Sequence, residues 1–71
     1  METTTALRQQ AEQYLGTAID PFEWDSARAS AEQKLDRIIE RYGDEDGTRR
    51  EPWYLAQLIA EAVRGNRFAR Y

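Results

Sequence analysis

From Trp53 to Val63 the chain is apolar nearly all the way round a helix, and no other segment constrains the fold as much. Only Gln57 and Glu61 interrupt it, and with Arg64 they fall at i, i+4 and i+7 as one narrow polar strip. An ordinary surface helix has one apolar stripe and a broad polar face. A helix this apolar has to be covered on most sides, and a chain of 71 residues has little else to cover it with. The segment therefore reads as a core helix with a partner surface beside its core face.

The rest of the chain supplies two more helices. Leu7, Ala11, Tyr14, Leu15 and Ala18 recur on one face at about 100° per residue, which predicts a first helix over residues 5–19. Thr3, Thr4 and Thr5 are its candidate N-caps. Gly16 falls opposite the stripe, inside the helix. Asp20-Pro21-Phe22-Glu23 then ends one helix and begins another. Proline disfavours the helical region at Asp20, while Asp20 and Glu23 hold the N-cap and N3 positions of a capping box. The second helix runs over 21–42, with Trp24, Ala27, Ala31, Leu35, Ile38 and Tyr42 in a narrow arc and Gly43 as its C-terminal stop. Phe22 is expected to fold back onto the first helix. Asp44-Glu45-Asp46-Gly47 is a loop, Thr48 and Glu51 form a second capping-box pattern, and the third helix spans 49–64, ending near Gly65-Asn66.

These features predict an all-α, small three-helix bundle forming a single helical domain, with a flexible N-terminus (1–4) and a basic C-terminal tail (65–71) docked through Phe68. The size leaves the bundle near the lower limit of independent stability, where a core rarely supplies more than roughly 3–5 kcal/mol. There is no cysteine and no histidine. Disulfides and thiolate metal sites are thereby excluded, and so is the usual general base at neutral pH. No cofactor or metal is expected. Counted from Asp44, the acidic loop puts glycine at position 4 and Leu55 at position 12, which is not the spacing of a calcium-binding EF-hand. Ser26 and Ser30 have no base to activate them. The expectation is a protein without catalytic activity, located in the cytoplasm: no run approaches the roughly 20 apolar residues of a membrane span, and Met1 to Thr5 do not resemble a signal peptide.

On a helical wheel Leu55, Leu58, Ile59, Ala62 and Val63 fill an arc of roughly 140°, an ordinary width for a helix touching two others. Trp53, Ala56 and Ala60 extend it on one side and Tyr54 on the other. This reads as a flat patch anchored by Trp53 and bordered by Arg64 and Arg67, the residue types that dominate interface energetics. The expected function is that of a protein-binding regulator, adaptor or inhibitor acting through this surface, on another protein or on a second copy of the chain. The alternative is a small nucleic-acid-binding regulator using Arg64, Arg67, Phe68, Arg70 and Tyr71 against phosphates and bases. The charge distribution bears on both. Residues 1–46 carry a net charge of −6 and residues 47–71 of +3, and the pI of about 4.9 opposes nucleic-acid binding. The acidic rows of the second helix could instead imitate a phosphate surface for a basic partner.

Overall fold

A computed structural model describes the chain from residue 2 to residue 69, with side chains described from Thr5 onward. Three α-helices follow in order: α1 (Glu2–Leu15), α2 (Pro21–Tyr42) and α3 (Pro52–Ala69), with a 3-10 turn at Thr48–Arg50 before α3. The chain is thus the all-α three-helix bundle that its periodicity predicts. Its order in space is decisive: α3 packs along both α1 and α2, which scarcely approach each other. The side chain of Trp24 is buried beside that gap, bordering a groove with Thr5, Arg8 and Glu12 of α1.

The second helix has the predicted boundaries. The Asp20 side chain accepts from the Glu23 N–H at 3.0 Å, and the Glu23 carboxylate accepts from the Asp20 N–H at 3.3 Å. This closes the capping box ahead of Pro21. At the other end Gly43 takes φ 83° and ψ −178°, a conformation almost restricted to glycine, and its N–H donates to Ile39 O.

The first helix differs at both ends. It already includes Thr3 to Thr5, so none of these is its N-cap, and residues 2–4 are helical instead of forming a free arm. It stops at Leu15, because Gly16 turns the chain with φ 88° while its N–H still reaches Glu12 O at 2.8 Å. Gly16 is the terminator of the helix, not a passenger within it. Ile19 nevertheless reaches the core, fully buried, from a non-helical loop. Both of its backbone polar groups are satisfied by α1 side chains. Glu12 Oε2 accepts from the Ile19 N–H at 2.8 Å, and Arg8 Nη2 donates to Ile19 O at 2.6 Å. A buried backbone group left without a partner is costly, so this pair is what lets the loop enter the core. Phe22 does not fold back: it is 89% exposed.

The connection to α3 is more contorted than the sequence implies. Glu45, Asp46 and Gly47 have φ of 50°, 57° and 89° in succession. Thr48 opens a 3-10 turn and does not cap α3, and Glu51 stays extended at φ −71° and ψ 142°. The predicted capping box is therefore absent, and α3 begins at Pro52, whose missing N–H costs a first turn nothing. Arg49 anchors the loop. It donates to Gly43 O at 2.8 Å and to the Glu45 carboxylate at 3.1 Å, with its guanidinium 5.9 Å from the Tyr42 ring centre. A cation over the last carbonyls of α2 complements the helix dipole.

The third helix passes through Gly65 and Asn66 and continues to Ala69, so the described part of the expected tail is helix. Arg70 and Tyr71 lie outside the described residues. The core joins Leu7 and Ala11 of α1, Trp24, Ala27 and Ala31 of α2, and Ala56, Leu58, Ile59 and Val63 of α3 around Ile19. Its many alanines let the helices approach closely but bury little side-chain volume. Among the described residues only Ile19, Ile59 and Val63 are large side chains buried completely. Among the described residues no helix is long and apolar enough to cross a membrane.

Candidate functional site: the outward face of α3

With a helix on each side, α3 buries a far wider arc than the sequence assigns to its core. From Leu58 through Ile59, Val63 and Ala56 to Ala60 the covered arc is about 200°. Ala56 is 0% and Ala60 2% exposed. These two alanines are therefore core residues, and the predicted flat patch of Trp53, Ala56 and Ala60 does not exist as a surface. The surplus apolarity of α3 has an internal cause: it is the central helix, covered by α1 and α2 together.

The predicted polar strip is the part that faces outward. Gln57, Glu61 and Arg64 are all exposed. Phe68, three helical turns beyond Gln57, continues their line and is 83% exposed. It is not the docking point of a tail. The four positions 57, 61, 64 and 68 repeat at intervals of four, three and four residues, the spacing of a seam between two supercoiled helices. Trp53 lies at the margin of the strip, 38% exposed, with its ring edge-on to Tyr54 at 5.8 Å between centres. Tyr54 itself turns inward and packs against the core.

Side chains from the neighbouring helices flank the strip. Tyr14 of α1, 44% exposed, lines a groove with Gln57, Ala60, Glu61 and Arg64, and its carbonyl accepts weakly from Arg64 at 3.4 Å. On the α2 side Lys34 Nζ lies 3.9 Å from Glu61 Oε1, with both side chains more than half exposed. Such a pair is worth little in water and leaves Glu61 able to meet another cation. Glu61, Arg64, Gly65 and Phe68 line a further shallow, mainly apolar depression. Among the described residues the large exposed apolar side chains are Tyr14, Phe22, Tyr42, Trp53 and Phe68. Three of these, Tyr14, Trp53 and Phe68, therefore frame a single charged strip.

Arg67 belongs elsewhere. It grips Glu23 through both carboxylate oxygens, at 2.6 and 2.8 Å, and donates to Thr17 Oγ1 at 2.7 Å and Ala18 O at 2.8 Å. One guanidinium thus ties the end of α3 to the α1–α2 loop and to the capping box of α2. A bidentate, partly buried arrangement of this kind is strong and directional. Arg67 is a structural clamp, not the rim of a patch, and its donors are turned inward from any phosphate. Of the residues expected to contact nucleic acid, Arg64 and Phe68 stand on the surface, while Arg70 and Tyr71 fall outside the described residues.

Sequence reasoning missed Tyr14 and Phe68 as members of this face. Phe68 had a signal, its place on the 57–61–64 line, which was lost because the helix was expected to end at Gly65. Tyr14 was assigned to the core stripe of α1, and only the position of α3 shows otherwise. Among the described residues no group of three or more His, Cys, Asp or Glu side chains is placed to hold a metal ion. Comparison of the chain with protein-family models, with curated proteins and with solved structures finds no match.

Proposed function

We propose that this protein is a non-catalytic helical binding module, a regulator or adaptor whose contact face is the outward side of α3. The observation that carries the reading is the aromatic frame around the strip. Tyr14, Trp53 and Phe68 stay exposed beside Gln57, Glu61 and Arg64, although Ala56, Leu58, Ile59, Ala60 and Val63 of α3 are buried. Exposed aromatic side chains beside an arginine are the usual anchors of a protein interface. From Trp53 to Phe68 the strip is about 22 Å long at 1.5 Å per residue, a length that suits a helix laid alongside. The nucleic-acid reading is disfavoured by the engagement of Arg67 with Glu23 and by the acidic pI of about 4.9.

A photo-crosslinking side chain tests the reading in the cell of origin. Placed at Phe68, it is expected to give discrete protein adducts. Placed at Gln33, on the exposed outer side of α2, it gives none. Equal labelling from the two positions overturns the assignment of the face.

A further inference from the structure

We infer that the occupant of this face is a second copy of the chain, laid antiparallel across α3 about a two-fold axis. The inference rests on the reading of the α3 face as a binding surface and identifies its partner. A two-fold contact places the same patch on both subunits, so the patch has to complement itself. The strip does so in one register. Glu61 and Arg64 are exposed and one turn apart, and an antiparallel neighbour sets Glu61 opposite the partner's Arg64 and Arg64 opposite the partner's Glu61. The same register sets Phe68 opposite the partner's Gln57, one turn from the partner's Trp53, so the most exposed apolar group on the strip gains an amphipathic pocket. Both ends of the contact are then aromatic and its centre holds two opposite-charge pairs. The 4-3-4 spacing of residues 57, 61, 64 and 68 is the seam that two such helices need. A parallel neighbour would instead oppose Glu61 to Glu61 and Arg64 to Arg64. Charge therefore selects the antiparallel arrangement.

The experiment is sedimentation equilibrium at low and moderate salt, on the intact chain and on two charge reversals, Glu61→Arg and Arg64→Glu. The intact chain is expected to form dimers that weaken as salt rises. Each reversal opposes like charges across the axis twice, which weakens self-association more than about tenfold. An equimolar mixture of the two variants restores the dimer, because each variant then meets its opposite. That rescue also shows that both variants are folded. A monomer up to about 1 mM, near the weakest specific affinities, overturns the second-copy assignment. Single reversals that dimerise as well as the intact chain overturn it too, as does a mixture that stays monomeric. These failures are separable from failure of the binding-face reading itself. Adducts at Phe68 with a protein other than this chain, together with a monomeric chain, would keep the face and remove the second copy.

Discussion

Both sides of α3 carry apolar side chains, but only one side buries them. On the inward side Ala56, Ile59, Ala60 and Val63 are sealed between α1 and α2, while on the outward side Trp53 and Phe68 stand in solvent beside Gln57, Glu61 and Arg64. Apolar character alone does not separate Trp53 and Phe68 from the buried alanines, since tryptophan and phenylalanine are at least as apolar as alanine. Position around the helix axis separates them, and so does the number of neighbours the helix has. A central helix buries more than half its circumference, so apolar excess alone is no sign of a missing partner. Large apolar groups on the one open side are such a sign.

The inward side of α3 should tolerate little change. Ile59 is completely buried, so Ile59→Ala is expected to cost about 3 kcal/mol through lost burial and the cavity left behind. Ala56→Leu, which would be harmless on a surface, is expected to cost about 2 kcal/mol by overpacking the contact between helices. Gln57→Ala, one residue further along, should change stability by less than about 0.5 kcal/mol. Urea unfolding of the three variants measures all of this. If Ala56→Leu leaves the midpoint unchanged, Ala56 belongs to the surface after all.

The next effect concerns two arginines three residues apart. Arg67 makes four hydrogen bonds to Glu23, Thr17 and Ala18, whereas Arg64 reaches a single carbonyl at 3.4 Å. Arg67→Ala should therefore destabilise the fold by about 2 kcal/mol, the range for hydrogen bonds involving charged groups, and Arg64→Ala by less than about 0.5 kcal/mol. Arg67→Lys should recover only part of the loss, because an ammonium cannot repeat the bidentate fork. Glu23→Gln combined with Arg67→Ala should cost less than the sum of the two single changes, since they disrupt one shared contact. A fully additive double variant would mean that the two groups do not form one unit.

The clamp also explains where the sequence was legible and where it was not. All of α2 could be read, 21 to 42, because both of its ends are written locally: Asp20, Pro21 and Glu23 at one and Gly43 at the other. The end of α3 was misread because Gly65-Asn66 is a local stop signal worth about 1 kcal/mol. Continuing the helix to Arg67 gains a contact with Glu23, 44 residues away. A contact over that distance leaves no mark on neighbouring residues. α1 shows the reverse. The helical period runs on through Ala18 and Ile19, yet Gly16 breaks it, and Ile19 enters the core only because Arg8 and Glu12 satisfy its backbone. The polar strip on α3 was legible, since it is local periodicity. The alanine patch was not, because its burial depends on which helix lies in the middle.

A smaller effect separates the two loops. The α1–α2 loop is pinned by Arg8, Glu12 and Arg67. In the Asp44–Glu51 loop the non-glycine residues Glu45 and Asp46 hold positive φ, and the Nε of Arg49 is buried without a hydrogen-bond partner. Asp46 at φ 57° pays the left-handed penalty that glycine avoids. Asp46→Gly is accordingly expected to stabilise the protein by about 0.5–1 kcal/mol. A thermal midpoint that falls instead would show that the Asp46 side chain supports the turn.

The smallest stability effect carries the most about function. Among the described residues Phe22 and Phe68 are the two most exposed large apolar side chains, 89% and 83%. Neither fills the core, so Phe22→Ala and Phe68→Ala should each shift stability by less than about 0.5 kcal/mol. In assembly they should part. Phe22 lies in the first turn of α2 and does not line the grooves along the 57–61–64 strip, and its loss should leave self-association unchanged. Phe68 ends the strip, and its loss should weaken the dimer at least tenfold, about 1.4 kcal/mol. Two phenylalanines alike in exposure and in thermal cost then differ only in what they touch on a partner. If both variants dimerise equally well, exposed aromatic character has no directional meaning in this molecule, and the strip on α3 is no more than its solvated side.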